Sequence, residues 1–150
     1  MEPTSSPPAN VAQERARWLL ETMDRERKKQ GVRTLSTQGL LLLCDIEKAF
    51  CAGAWISVIV LAYAVVDATL RDIATGDYES KAADLYGSDP DLEWLRKIRN
   101  QAVHVSPPGT PSVLWKRPPV NLAACQEALE PEARRAVVIA YRQVHAHSVT

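Results

Sequence analysis

The sequence predicts an all-α protein, a four- or five-helix bundle with an up-and-down arrangement. Apolar side chains recur at helical spacing within charged stretches, and no stretch convincingly alternates apolar and polar residues as strands do, although residues 115–120 could be extended. A chain of 150 residues, 46% of them hydrophobic, is long enough to bury one core. We expect a disordered N-terminal leader over residues 1–10, because it is rich in proline, serine and threonine, and one helical domain over residues 11–150.

The first helices are predicted from amphipathic spacing and from residues that begin or end helices. Residues 11–30 carry apolar side chains at helical intervals among many charges, and Gly31 follows as a helix terminator. Ser36 is a suitable N-terminal capping residue for the next helical segment. That segment covers residues 39 to about 74, either as one very long helix or as two abutting helices.

The second half of the chain is divided by prolines. The sequence Ser-Asp-Pro-Asp at residues 88–91 is typical of a helix start, and we expect that helix to run to about residue 104. Five prolines within residues 106–121 stop it and predict an irregular loop. Pro131 then begins a last helix that reaches about residue 146.

One stretch tests whether the protein enters a membrane. Residues 49–66 are eighteen consecutive residues without a charge, which is the lower length limit for a transmembrane helix. The stretch is rich in alanine, contains Gly53 and Ser57, and continues directly into charged residues. We therefore expect it to form the buried centre of the bundle, with no membrane as a partner.

Charge and cysteine content narrow the functional classes. The 18 basic and 18 acidic side chains give a formal charge of zero, so no global positive field holds a nucleic acid and any RNA contact must be local. The three cysteines lack the paired spacing of zinc or redox sites. We interpret them as reduced, buried small side chains. They are Cys44, Cys51 and Cys125. The N-terminus has no basic start followed by an apolar run, so we expect a cytoplasmic protein, and we expect no metal and no cofactor.

Arg99 is the first residue of interest in the helix predicted over residues 91–104. Four apolar residues define one face of that helix, and Arg99 falls within their arc rather than on the polar side. A buried guanidinium is costly unless it is paired, so we expect a carboxylate beside it. Asp67 and Asp72 are both candidates.

Asn100 and His104 add an amide and an imidazole to the same helix. They are four residues apart and would lie on one row of the helix, whereas His104 lies about 140° around the axis from Arg99. A single site therefore requires the helix to distort near Pro107, or Arg99 to reach around it. Dimerisation is a further solution, because a two-fold axis would bring two copies of the motif together.

The segment over residues 95–104, LRKIRNQAVH, resembles the signature of the HEPN superfamily. In that signature an Arg, usually followed by a polar residue such as Asn, precedes a His with four to six residues between them. Many HEPN proteins are small all-helical ribonucleases, often toxins or defence effectors, with a composite site at a dimer interface. The resemblance also points to an acidic residue near the motif, on the helix that carries Asp67 and Asp72.

The resemblance implies a HEPN-like bundle that works as a metal-independent endoribonuclease, leaving 2′,3′-cyclic phosphate and 5′-hydroxyl ends. Arg99, Asn100 and His104 would be its catalytic residues, and its partners would be RNA or a nucleotide, a second copy of the chain and an antitoxin protein. Some HEPN domains only bind RNA, nucleotides or proteins. A non-catalytic binding module and a structural helical dimer are therefore alternatives.

The expected chemistry requires a base for the 2′-hydroxyl proton, an acid for the leaving 5′-oxygen and a cation for the phosphate. Two facing copies of His104 and Arg99 would supply all three, since imidazole titrates near neutral pH. Trp115 either anchors the proline-rich loop, which we favour, or stacks on a single-stranded base. Four basic residues are expected to bind the substrate, namely Arg96, Lys97, Lys116 and Arg117.

Two other positions argue against alternative functions. Ser106 stands where a subgroup of HEPN toxins carries a tyrosine that a partner antitoxin adenylylates, so control by that route is not expected. His145 and His147 are two residues apart, and their side chains would diverge by about 200° on a helix. We therefore predict no metal site there and interpret this end of the chain as a frayed polar terminus.

Overall fold

The computed structural model describes residues 5–31, 35–73, 78–115 and 121–146, and the regular elements within these ranges are all α-helices. The all-α class is thereby confirmed. The described residues contain six helices where four or five were predicted. They are α1 (Ala9–Gln30), α2 (Thr37–Ala52), α3 (Trp55–Ile73), α4 (Tyr78–Ser88), α5 (Pro90–Val103) and α6 (Leu122–Ala146).

The boundary between α2 and α3 explains part of the difference between the predicted and the observed number of helices. Ser36 caps α2 as predicted, since its Oγ accepts a hydrogen bond from the Gly39 N–H at 3.1 Å. At the other end, Gly53 has a left-handed backbone with φ 75° and ψ 24°, and α3 begins two residues later. Of the two alternatives for this segment, two abutting helices are therefore correct.

Helix α4 was not predicted. It is a helix of 11 residues with a polar sequence, and its amphipathic signal is weak because Gly87 and several small residues interrupt the pattern. It packs against α5, and to a lesser extent against α3. Its aromatic residue Tyr86 stacks on Tyr63 of α3, with ring centroids 6.0 Å apart. Tertiary contacts of this kind are not visible in a single sequence.

Helix α5 begins at the predicted position. Asp89 caps it by accepting hydrogen bonds from the Asp91 and Leu92 N–H groups, and Pro90 occupies the first turn. Asp91 then joins α5 to α6, because its carboxylate accepts from Arg142 at 2.7 Å and from Arg135 at 3.2 Å. The Arg142 guanidinium, and to a lesser extent that of Arg135, holds the pKa of Asp91 below its ordinary value.

The start of α6 corrects a prediction. Pro131 lies inside the helix rather than at its beginning. The helix begins at Leu122, where the Asn121 side chain accepts a hydrogen bond from the Ala124 N–H at 2.8 Å. Pro131 is exposed, and the buried residues Leu129 and Ala133 on either side hold the helix against the core. This packing offsets the single backbone hydrogen bond that a proline removes.

The first helix is close to its prediction, because α1 starts at Ala9 and ends where Gly31 follows. Residues 5–8 of the expected leader precede the helix, and residues 1–4 lie outside the described part of the chain. The proline-rich segment is non-helical over residues 105–115, as expected. Residues 116–120 of the possible extended stretch lie outside the described ranges.

The core is built around α3, which packs against α2, α5 and α6. The charge-free stretch over residues 49–66 is shared between α2 and α3, and all but three of its residues are buried or half-buried, in line with the prediction of a central element. No helix in the described ranges is long and apolar enough to span a membrane. The buried side chains of this stretch are Phe50, Trp55, Val58, Ile59, Ala62, Val65 and Val66.

The cysteines are free, as expected, but they are less buried than predicted. Cys44 is exposed on the outer face of α2, and Cys51 and Cys125 are half-buried. Burial raises the pKa of the Cys51 thiol. Helical periodicity places Cys44 beside Leu40 and Leu41, which are themselves 52% and 61% exposed, so the apolar character of this face was misleading.

We expect the substitution Gly53→Ala to destabilise the protein by about 1–2 kcal/mol, because an L-residue in the left-handed region is strained. A Cβ at this position would also lie 3.0 Å from Nη1 of Arg15. Gly87→Ala is the matched control, since it lies in α4 with nothing within 4 Å of an added Cβ. It should leave stability unchanged or raise it by up to about 1 kcal/mol. Urea unfolding midpoints measure both effects. Equal effects of the two variants would contradict the left-handed backbone conformation at Gly53.

Candidate active site at the end of helix α5

His104 occupies the first position after α5. Its backbone is extended, with φ −126° and ψ 142°, and its N–H still donates to the Asn100 carbonyl at 2.9 Å. The side chain is exposed. The sequence predicted that His104 lies on one helical row with Asn100. In the structure it does not continue that row. The helix ends just before it, which is the kind of break expected ahead of Pro107.

The imidazole of His104 lies at a groove of about 560 Å³. The groove is formed by the first turn of α3, the end of α5 and the loop over residues 105–115. Ile56 contributes from α3, and Leu114 and Trp115 contribute from the loop. Apolar side chains dominate the wall, and several serine and threonine hydroxyls lie at its edge. A volume of this size is typical of sites for small organic ligands.

Gln101 holds the loop that forms the far wall of the groove. Its Nε2 donates to the Pro111 carbonyl at 2.9 Å, and its Oε1 accepts from the Val113 N–H at 2.7 Å. Ser112 donates to the same Oε1 at 3.5 Å and accepts from the Trp115 N–H at 3.1 Å. In the sequence, Gln101 is only part of the spacer between Arg99 and His104, and no local signal marks this long-range role.

Arg99 is half-buried, as its place in the apolar arc predicted. Its Cζ lies 4.9 Å from the centroid of the Tyr63 ring, and its Nη1 donates to Oδ1 of Asn100 at 2.9 Å. Tyr86 also stacks on the Tyr63 ring. Burial, and then the neighbouring Tyr63 hydroxyl, raise the pKa of Tyr86 far above its ordinary value, so the Tyr86 phenol stays protonated at physiological pH.

The prediction that a carboxylate pairs with Arg99 needs correction. Among the described residues, neither Asp67 nor Asp72 forms an ion pair with Arg99. Asp67 instead accepts from Nε of Arg71 at 2.9 Å, one turn further along α3. Tyr63 lies one turn before Asp67, and its ring fills the position next to the guanidinium. The positive charge of Arg99 is thus stabilised by an aromatic face and an amide oxygen.

The structure places Arg99 and His104 at different points along α3. Arg99 contacts Tyr63, whereas His104 lies at the groove that Ile56 lines. These two α3 residues are seven positions apart, which corresponds to about 10 Å along the helix axis. Within one chain, the groove at His104 does not include Arg99. A single copy therefore does not assemble the complete predicted constellation.

Of the four basic residues expected to bind the substrate, the structure describes Arg96 and Lys97. Arg96 makes two hydrogen bonds to the Glu93 carboxylate, at 2.9 and 3.0 Å, and Lys97 lies 3.5 Å from the same group. Arg96, and to a lesser extent Lys97, keeps the pKa of Glu93 below its ordinary value. Both cations are exposed and can exchange Glu93 for another anion at small cost. Lys116 and Arg117 lie outside the described residues.

His145 corrects the prediction of a frayed terminus. It is buried near the end of α6, where it makes a backbone hydrogen bond with Gly31, and burial lowers its pKa. It therefore packs the end of α6 against the end of α1. His147 lies outside the described ranges. The described residues contain no group of three or more side chains that could hold a metal ion.

No protein-family model, curated protein or solved structure matches this chain.

We expect Arg99 and Tyr63 to be coupled energetically. A double-mutant cycle of Arg99→Met and Tyr63→Leu, followed by urea unfolding, should give a coupling energy of about 0.5–2 kcal/mol, as for partly desolvated cation–π pairs. Arg135→Met combined with Tyr63→Leu is the control, because Arg135 lies over Trp94 instead, at 4.0 Å. Strong coupling between Arg99 and Asp67, with none to Tyr63, would restore the original ion-pair prediction.

Proposed function

We propose that this protein is a metal-independent endoribonuclease of the HEPN type, which acts as a homodimer with the His104 side chains of two protomers in one cleft. The supporting observation is the position of His104. It is an exposed imidazole at a groove, between two exposed apolar residues, Val103 and Val105. The Arg-Asn-x-x-x-His resemblance supplies the reaction class, and a role as a toxin or defence effector belongs to the same proposal.

The reaction needs two proton-transfer groups. One imidazole removes the proton from the 2′-hydroxyl, whose oxygen attacks the adjacent phosphorus. The bond from phosphorus to the 5′-oxygen breaks, and a second imidazole protonates that oxygen. The products are a 2′,3′-cyclic phosphate and a 5′-hydroxyl. One chain provides one imidazole at this place, so a second copy of His104 is the simplest source of the other.

The surface around His104 favours a second copy of the chain as its partner. On either side of His104, Val105 is 100% exposed and Val103 is 44% exposed. A cluster of exposed apolar side chains is typical of an interaction surface. A two-fold contact through Val105 would place each His104 close to the axis, because the two residues are neighbours in the chain.

In this proposal Arg99 acts through Asn100. The guanidinium donates to the Asn100 side-chain oxygen, which leaves the amide NH₂ group as the outward donor. Asn100 can then donate to a phosphate oxygen while Arg99 fixes its orientation. Arg99 is thus a positioning residue in the free protein. Arg96 and Lys97 extend the phosphate contacts along the exposed side of α5.

A second candidate function is a HEPN-like RNA- or nucleotide-binding module without catalysis. The observation that favours it is the separation of Arg99 from the groove at His104 within one chain. Such a module would bind RNA and leave it intact, with or without His104. An antitoxin or another protein partner is compatible with either candidate.

If His104 transfers protons, His104→Ala should lower RNA cleavage at least about 100-fold, the usual contribution of a general acid or base. The wild type should cleave in EDTA and leave cyclic phosphate ends. Stability should change little, because the side chain is exposed. Lys48→Ala, at an exposed position of α2 away from the groove, is purified in parallel as a control for contaminating nuclease. Equal cleavage by His104→Ala and the wild type would remove His104 from the mechanism.

The dimer is tested by Val105→Asp, which places a charge in the expected contact without disturbing the monomer. We expect a monomer by light scattering and a loss of cleavage comparable to that of His104→Ala. Leu20→Asp is the matched control, because Leu20 is an exposed apolar residue on α1, 66% exposed and outside the groove. It should remain dimeric and active. A monomeric Val105→Asp protein with full activity would exclude the composite site.

A further inference from the structure

The wall of the groove that includes Trp115 is held in place by a chain of hydrogen bonds. Gln101 of α5 binds the backbone of residues 111 and 113, Ser112 donates to Gln101, and the Trp115 N–H donates to Ser112. Gln101 is three residues before His104, so the two side chains leave the same part of α5. The loop backbone is therefore held before any ligand arrives, and the half-buried Trp115 side chain packs against the hydrophobic core, which lowers the entropic cost of binding.

The charge and polarity of the side chains that line the groove indicate the class of ligand that it binds. Its lining contains no lysine, arginine, aspartate or glutamate among the described residues, and His104 is its one titratable side chain. Among the described residues of the lining, a phosphate would find no guanidinium or ammonium group; Lys116 and Arg117, which follow Trp115, lie outside them. A planar, neutral and partly polar ring would find the Trp115 face, the apolar Ile56 side chain and the hydroxyls of Thr110 and Ser112.

We propose that this groove is a binding site for an unpaired nucleobase, with Trp115 as its stacking surface and Gln101 as the residue that positions Trp115. The proposal rests on the proposed function for its biological meaning, because a base in the groove would bring its own ribose and phosphate to His104. Since a paired base cannot enter such a groove, the substrate would be single-stranded RNA or a duplex opened at that position.

The test compares two probes that share a phosphorylated ribose. Adenosine 5′-monophosphate carries a base, whereas ribose 5-phosphate does not. By calorimetric titration we expect saturable binding of adenosine 5′-monophosphate by the wild type, and binding of ribose 5-phosphate at least about 5-fold weaker. Trp115→Ala should weaken the nucleotide by roughly 5- to 100-fold without affecting ribose 5-phosphate, as expected for one stacked base. Trp115→Phe should retain most of the affinity.

Two further variants separate the site from the rest of the protein. Gln101→Ala should weaken the nucleotide although Trp115 is still present, and it tests the proposal independently if Trp115→Ala does not fold. Trp94→Ala is the control, because Trp94 contacts Arg135 and does not line the groove. It should leave nucleotide affinity unchanged.

Several results would overturn the proposal. These are the absence of saturable nucleotide binding by the wild type at millimolar concentration, equal binding of the two probes, and unchanged affinity in both Trp115→Ala and Gln101→Ala. Loss of the dimer in Trp115→Ala with unchanged nucleotide affinity would instead assign the groove to self-association. Nucleotide binding without RNA cleavage would support this site and refute the endoribonuclease. RNA cleavage that Trp115→Ala leaves unchanged would support the endoribonuclease and refute this site.

Discussion

The burial of α3 is the constraint on which the rest of this structure depends. Its apolar side chains pack against α2, α5 and α6, and removing such surface from water is the main favourable contribution to folding. The position of α3 also sets both parts of the candidate site, because Ile56 at its first turn lines the groove and Tyr63 two turns later lies beneath Arg99. Any change that shifts α3 along its axis would move both parts together.

The proline-rich loop shows how a second constraint shapes the groove. Prolines carry no N–H group and break regular hydrogen bonding, so such a loop cannot stabilise itself as a helix or a strand. The Gln101 side chain supplies both a donor and an acceptor to the loop backbone. It thereby replaces the hydrogen bonds that a neighbouring strand or helical turn would make. Two hydrogen bonds from one amide thus offset part of the cost of an irregular loop, and the conformation that results places Trp115 in the wall of the groove that His104 also lines.

Local signals in the sequence were sufficient for the elements that depend on local physics. Ser36 and Asp89 mark helix starts because capping involves only neighbouring backbone N–H groups. Pro131 was misleading, since whether a helix continues through a proline depends on packing several turns away. The burial of Arg99 followed from helical periodicity, but its partner did not, because choosing between Asp67 and the Tyr63 ring requires the position of α3. Gln101 carried no signal at all, since its partners are ten or more residues away.

The contacts of Arg99 bear directly on whether its charge can serve a substrate. A partly desolvated cation–π contact is worth about 0.5–2 kcal/mol, and a hydrogen bond to a charged group about 1.5–3 kcal/mol. A bidentate contact between guanidinium and phosphate is of the stronger, charge-assisted kind. A phosphate that reached Arg99 would therefore gain more than the loss of the Asn100 contact costs, and the stacking on Tyr63 can persist through such an exchange. Arg99 is held by interactions weak enough to be replaced, whereas an ion pair with a buried carboxylate would have committed its charge to the fold.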